Sequence, residues 1–478
     1  MNSLKKVALS GFIWALTNQL SLTIIGLVVS GILTRLITPS EFGILGMVTI
    51  GIGFLNVIKD FGFGAALVQK KEVDDDEYST VFWINIIIGV LLTAVVFEAA
   101  PLISSYFNEP RVGDVTKALS FTFIINSIGV VWNNKLIKAI AFKQIFYRSF
   151  LSTGLGGFIA VIFAFKGYGV WALVIQTYLT LIFNTILNFL HVKWIPRFII
   201  KKEYFSDLKK FGLPLFADQS INYWVRNVDN LLVGRYLGKD PLAYYSKAYA
   251  LMLLPVRQLT GTLTKVLFPS FSIIQDDKEQ IATIYLKISR VIAFVAFPMM
   301  LCLSALAEPL ILIVYGDKWL EVVPLFKVLS ILGMFQAIAT LSGNIYMALG
   351  ETKKMFQLGL ISKVLMISGI VGGLFLGGLM GMVYGYCITS GLAFFIETYN
   401  LGKLINLKLR AILVNVLPYL VTSFICFCLF SLDIIPAFLN VVAEFAIKGF
   451  AFSVAYLVLS YVFKVKAMED LYKLIRYR

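Results

Sequence analysis

The sequence predicts an all-α polytopic membrane protein with about fourteen transmembrane helices. Two observations carry this. Of 478 residues, 59% are hydrophobic and 14% charged, at a mean hydropathy of +0.84; a soluble chain carries about a quarter charged residues. The apolar runs are also long. ALSGFIWALTNQLSLTIIGLVVSGIL exceeds the roughly 20 residues that cross a hydrocarbon core, whereas a β-barrel would alternate in segments of about 10.

The first span, near residues 9–34, follows Lys5 and Lys6. It is too long for the apolar part of a signal peptide and no small-residue cleavage pattern follows, so it reads as retained. Charged and Pro/Gly-rich turns delimit the next five, near 42–58, 80–100, 116–132, 149–165 and 170–190. Six more lie near 213–234, 247–268, 288–314, 324–349, 357–376 and 379–400. Two final spans, near 413–432 and 438–463, precede a basic tail. The glycines of GLGG (Gly154–Gly157) and of SGIVGGLFLGG lie inside apolar spans. The spacing of Gly369, Gly373 and Gly377 by four reads as close helix packing, not as a nucleotide loop. NKLIKAIAFKQIFYR (Asn134–Arg148) and KVKAMEDLYKLIRYR (Lys464–Arg478) mix basic and apolar residues at helical spacing, which predicts helices lying on the membrane surface.

Alternate loops differ sharply in charge. Of 42 Lys and Arg, 28 fall in one set of loops, including both termini, and 8 in the other. The basic set is expected in the cytoplasm. It accounts for most of the net charge of +15 through contact with anionic membrane lipid, so no nucleic acid is implied.

Several short matches share an offset of about 200 residues. TRLITPSEFGILGMV from Thr34 resembles GRYLGKDPLAYYSKA from Gly234, Asn18–Gln19 falls on Asp218–Gln219, and DDDE from Asp74 answers DDKE from Asp276. Six spans separate the copies, so both point the same way across the membrane. This predicts two six-helix lobes related by a pseudo-two-fold axis along the membrane normal, with the site between them near the midplane. The expected parts are 1–200 (spans 1–6), 201–402 (spans 7–12), and 403–478, two peripheral helices with a basic tail.

The seventh span carries a polar stripe. With Asp218 at zero and about 100° per residue, Asp229, Asn222, Arg226, Gln219 and Asn230 all fall within about 120°. Trp224, Val228 and Leu231 lie opposite. A charge at the bilayer centre costs about 2.5–3.5 kcal/mol, so this stripe must face protein or water. In the first span the same arc holds Asn18, Gln19, Gly26 and Ser30, with Gly26 in the place of Arg226. The eighth span adds Arg257, with Gly261, Thr264 and Lys265 on one face. Arg226 and Arg257 could thus line one cationic cavity, whose guanidinium forks suit phosphate oxygens. Arg226 and Asp229, spaced i,i+3, could instead pair with each other. Glu444 and Lys448, at i,i+4, read as a structural pair, and Lys327 lies close enough to a span end to snorkel.

Other chemistries find little support. His191 is the only histidine and stands at a span boundary, and the four cysteines lie in apolar segments, so no metal or disulfide framework is expected. No GxxxxGK[ST] motif suggests ATP drive. A polymerase or ligase would want reactive groups on a large external loop. The longest external one, near 100–115, offers only one acid and one base in YFNEPR.

RLITPSEFGILGM, FGFGAALVQ, VDNLLVGRYLG, YYSKAY, PVRQLTG and LFPSFSIIQDD together resemble polysaccharide flippases of the multidrug/oligosaccharidyl-lipid/polysaccharide exporter superfamily, of the lipopolysaccharide, colanic acid and teichuronic acid export type. The resemblance covers most of the chain, least the last two spans. It implies fourteen helices around a central cavity in the bacterial inner membrane. It also implies export of undecaprenyl-pyrophosphate-linked oligosaccharide units, beside the sugar transferases and polymerase of the same pathway. By position in the cavity it implies headgroup binding by Arg226 and Arg257; the polar stripes make Lys265, Gln219, Asn222, Asn230, Asn18 and Gln19 further candidates to line the cavity. Some relatives couple to Na⁺ or H⁺, for which Asp218 and Asp229 are the candidates; no other cofactor is implied. The rival within the superfamily is a multidrug exporter, which a mid-span arginine pair disfavours for cationic drugs.

Overall fold

The computed structural model describes residues 2–60, 64, 67–68, 70, 72–431 and 440–468. Helices run in the order α1 (Asn2–Leu36), α2 (Pro39–Asp60), α3 (Asp75–Phe107), α4 (Pro110–Ser120), α5 (Thr122–Lys138), α6 (Phe142–Phe165), α7 (Val170–Val192), α8 (Lys202–Tyr236), α9 (Lys239–Ile273), α10 (Lys278–Ala305), α11 (Ala307–Val314), α12 (Val322–Ala348), α13 (Thr352–Leu404), α14 (Leu409–Ser431) and α15 (Val441–Val462). No strand occurs among the described residues. Among the described residues, eleven segments are long and apolar enough to cross a membrane; α8 and α9 are not among them. The chain is a multi-pass helical membrane protein.

The contacts divide it into Met1–Ala243 and Tyr244–Arg478. In the first unit α6 packs on α1 and α7, α3 on α4 and α5, and α2 on α8. Small residues set these approaches. A Cβ on Gly156 would strike Thr180 of α7, and one on Gly157 would strike Val29 of α1, so GLGG is a packing surface. Leu33 and Ile37 meet Ala160, Ala164, Ala172 and Leu173 in one core cluster. A second gathers Tyr78, Val81, Phe82, Val131 and Trp132.

Loop charges of the first unit segregate as the Lys/Arg count expects. At the start of α3, Lys70 pairs with Glu77 (2.9 Å), Lys135 with Asp75 (3.1 Å), and Lys201 and Arg197 with Asp76 (2.7 and 3.3 Å). Near its other end Lys239 pairs with Glu109 (2.6 Å) and Arg111 with Glu41 (3.3 Å). Each of these pairs joins loops of the same set.

The repeat reappears in helix bounds. α1 and α8 are each 35 residues long and begin 200 apart, with Arg35 and Arg235 in their last turns. α3 and α10 begin with the same device: Asp74 Oδ1 accepts from Glu77 N (2.6 Å) and Asp277 Oδ1 from Gln280 N (2.9 Å). The acidic clusters of the repeat are therefore N-caps, which satisfy otherwise unpaired amides at a helix start.

In the second unit α10 packs on α12 and α14, α12 on α13, and α15 on α14 and α11. The 53 residues of α13 form two antiparallel arms, reversed at Gly377 (φ −151°) and Gly378 (φ 59°, ψ −142°). A left-handed φ with that ψ is open only to glycine. Gly369 and Gly373 do mediate close packing, against Gly385 and Gly381 of the other arm. Gly377 does not; a Cβ there would meet open space, and its place is in the reversal.

A second correction concerns Asn134–Arg148. It forms no separate surface helix. α5 continues to Lys138, a turn with Ile140 at φ 55° follows, and α6 starts at Phe142. Lys138 Nζ caps the carbonyls of Leu67 and Lys70 (3.1 and 2.7 Å), which fixes the turn. Most of the basic tail, 469–478, lies outside the described residues.

Candidate functional site

α8 is oriented by aromatic contacts with α2. Tyr223 donates its hydroxyl to Ile50 O (2.6 Å), and Trp224 lies 4.9 Å from Phe54 between ring centroids. This close approach needs Gly53, where a Cβ would run into the Tyr223 hydroxyl. At its far end Arg235 donates to Tyr106 O and lies over the Tyr106 ring (5.2 Å). No local pattern in the sequence singles out Tyr223, because its role depends on Ile50 and Gly53 of α2.

So held, α8 has two open arcs. One is apolar, with Ile221 50% and Trp224 38% exposed, and suits lipid. The other carries Gln219 and Arg226, both exposed, flanked by half-buried Asn222 and Asn230. On any helix that crosses a membrane, an exposed guanidinium requires water or a polar ligand beside it. Asp229 lies at the buried edge of the same arc, 4% exposed, where Oδ1 accepts from the backbone amide of Asn230 (2.7 Å). Arg226 and Asp229, one turn apart, therefore occupy different surroundings. The side chain of Asp218 lies outside the described residues.

On α1, Gln19 is exposed and Asn18 half-buried, and a side chain at Gly26 would meet open space. The carbonyl oxygens of Asn18 and Asn230 are buried without a hydrogen-bond partner among the described residues. Such an acceptor costs about 1–3 kcal/mol while unmet. In the second unit Arg257 on α9 is exposed, and a Cβ at Gly261 would again meet open space; the side chain of Lys265 lies outside the described residues.

Other polar groups fall into structural roles. Glu444 and Lys448 pair at 2.8 Å. His191 is exposed, with Nδ1 2.7 Å from Leu187 O. No group of three or more His, Cys, Asp or Glu able to hold a metal occurs among the described residues. Arg148, counted as a loop residue from the sequence, is 7% exposed and donates to Asn133 Oδ1 (2.6 Å) and Asn188 Oδ1 (2.7 Å). The asparagines at 133, 184 and 188, polar within apolar runs, were the available signal for such a partner.

A model of the family described as polysaccharide biosynthesis protein matches residues 32–324. Teichuronic acid biosynthesis protein TuaB of Bacillus subtilis (strain 168) is 28% identical over 471 residues, covering 97% of this chain and 96% of its own length. Lipopolysaccharide biosynthesis protein WzxC of Escherichia coli (strain K12) is 27% identical, covering 81% of this chain and 79% of itself. Among solved structures, the lipid II flippase MurJ in an inward closed conformation superposes with a TM-score of 0.75 at 16% identity, covering 95% of this chain and 98% of that one. The fold is thus shared with that flippase, and the match over residues 32–324 makes this chain a member of the polysaccharide biosynthesis protein family.

Proposed function

We propose that the protein is a flippase that moves undecaprenyl-pyrophosphate-linked oligosaccharide units across the bacterial inner membrane by alternating access. The observation that carries this reading is the exposed Gln219–Arg226 arc of α8, set apart from the lipid-facing Ile221–Trp224 arc of the same helix. A hydrated cationic surface admits the pyrophosphate and sugar while the lipid tail stays in the bilayer. This removes the main barrier, which is passage of charge and hydroxyls through hydrocarbon. Arg257 serves from the second repeat. Family membership and the names of the curated relatives favour a surface polysaccharide pathway, whose transferases and polymerase would make and use the cargo. An exposed cation disfavours a cationic drug as substrate. A catalytic role finds no support in YFNEPR, whose Glu109 and Arg111 are both engaged in ion pairs. Depleting the protein should leave lipid-linked units inaccessible to a sugar-modifying enzyme added outside spheroplasts. If they reach the outer face at the undepleted rate, the proposal fails.

Both termini are placed in the cytoplasm by this reading. In a variant lacking the four native cysteines, Lys166→Cys and Asp240→Cys should react with an impermeant maleimide added outside, and Lys278→Cys and Lys353→Cys should not. These four positions are exposed in the fold, so the reverse pattern would overturn the orientation.

Coupling to Na⁺ or H⁺ is assigned to Asp229, with Asp218 as the second carboxylate. Asp229→Asn should remove the dependence of transport on the ion gradient at unchanged protein level. Full ion dependence in both Asp229→Asn and Asp218→Asn would remove these carboxylates from the mechanism.

A further inference from the structure

The second unit contains a charged cavity distinct from the polar faces of α8 and α9. It measures about 490 Å³ and lies where the last residues of α10 and α14 meet α11 and the first turns of α12 and α15. Ends of apolar spans lie at headgroup depth. Among the described residues, four ionisable side chains line it: Glu308, Lys327, Glu444 and Lys448. Glu444 and Lys448 compensate each other at 2.8 Å. Lys327 and Glu308 are both exposed, and neither side chain has an ion pair or side-chain hydrogen bond among the described residues. Lys327 and Glu308, neither with an ion-pair partner among the described residues, thus share a cavity with Phe427 and Phe430.

A separate apolar groove of about 340 Å³ lies between α10 and α15. Its walls are Val295, Met299 and Leu303 of α10 and Phe452 and Leu457 of α15, so it begins one residue from Ser304 and one turn from Lys448. Phe430 on the cavity wall packs against Phe452 in the groove (5.3 Å between centroids). Tyr456 closes the base by donating to Phe294 O (3.0 Å). Val295 and Leu457, exposed at 37% and 47%, leave the groove open to the bilayer.

We infer that this is a binding site for a zwitterionic phospholipid with a primary ammonium, of the phosphatidylethanolamine type. Lys327 takes the phosphate, Glu308 takes the ammonium, and an acyl chain lies in the α10–α15 groove. The charge pair selects among headgroups. Phosphatidylglycerol offers Glu308 no cation, and the quaternary ammonium of phosphatidylcholine has no N–H to donate to a carboxylate. The inference rests on the second unit alone and does not depend on the transported substrate.

The test is native mass spectrometry of the full-length protein equilibrated with phosphatidylethanolamine, phosphatidylglycerol or phosphatidylcholine of identical acyl chains. The parent should retain phosphatidylethanolamine about tenfold better than the other two, the scale of one charge-assisted hydrogen bond. Glu308→Gln should abolish the preference over phosphatidylglycerol, and Lys327→Ala should weaken retention of all three. Glu308→Asp and Lys327→Arg keep the charges and should keep the preference, which separates loss of the site from loss of the fold. Equal retention of the three lipids by the parent, or an unchanged preference in Glu308→Gln, overturns the inference. So does retention of a free oligosaccharide that is lost in Lys327→Ala, which would make the cavity a sugar site.

Discussion

Arg226→Ala should stop polysaccharide export and leave lipid-linked units facing the cytoplasm. The side chain is exposed on the polar arc of α8, so its removal costs little packing. Losing one charge-assisted contact should weaken headgroup binding by about 1.5–3 kcal/mol, or about ten- to a hundredfold. Arg226→Lys should restore export only in part, because a point charge replaces a planar fork that can hold two phosphate oxygens. Asp229 is buried one turn away, and its surroundings could respond to the change in charge. The double variant Arg226→Ala with Asp229→Asn separates the two effects. If it inserts and exports like the parent, Arg226 is a structural partner of Asp229 and does not hold the headgroup.

Gly373→Leu should abolish folded protein, and Gly372→Leu should not. A Cβ at Gly373 would land on the carbonyl of Gly381 in the opposite arm of α13. Backbone cannot yield as a side-chain tip can, so the two arms must separate along their length. Overpacking of a tight contact costs about 1–3 kcal/mol or more, and here it also breaks the neighbouring contact of Gly369 with Gly385. At Gly372 a Cβ meets open space, and leucine is the better helix former. The measurement is the yield of monodisperse protein after extraction in mild detergent. Equal yields for the two variants would show that the arms do not meet through Gly373.

Properties that repeat along one helix or one loop can be read from the residues alone. The polar arc of α8 was legible because Gln219, Asn222, Arg226, Asp229 and Asn230 recur at helical spacing, and burying such a stripe in lipid is too costly to be accidental. Span positions and the grouping of loop charges were legible for the same local reason. So was the 200-residue repeat, which returned as matching bounds for α1 and α8.

Tertiary structure alone decided which surfaces meet. Periodicity places a residue on a face of its helix but does not say what that face touches. Arg148 looked like one more cytoplasmic cation until Asn133 and Asn188, on α5 and α7, closed around it. Gly377 shares the four-residue spacing of Gly369 and Gly373, yet it turns the chain while they pack. Tyr223 sets the orientation of α8 only through Gly53 and Ile50 of α2, more than 150 residues away in sequence. Lys327 and Glu308 come to one cavity because four helix ends converge there. Such pairings are fixed by close packing between segments distant in the chain, and a lone segment carries no record of its neighbour.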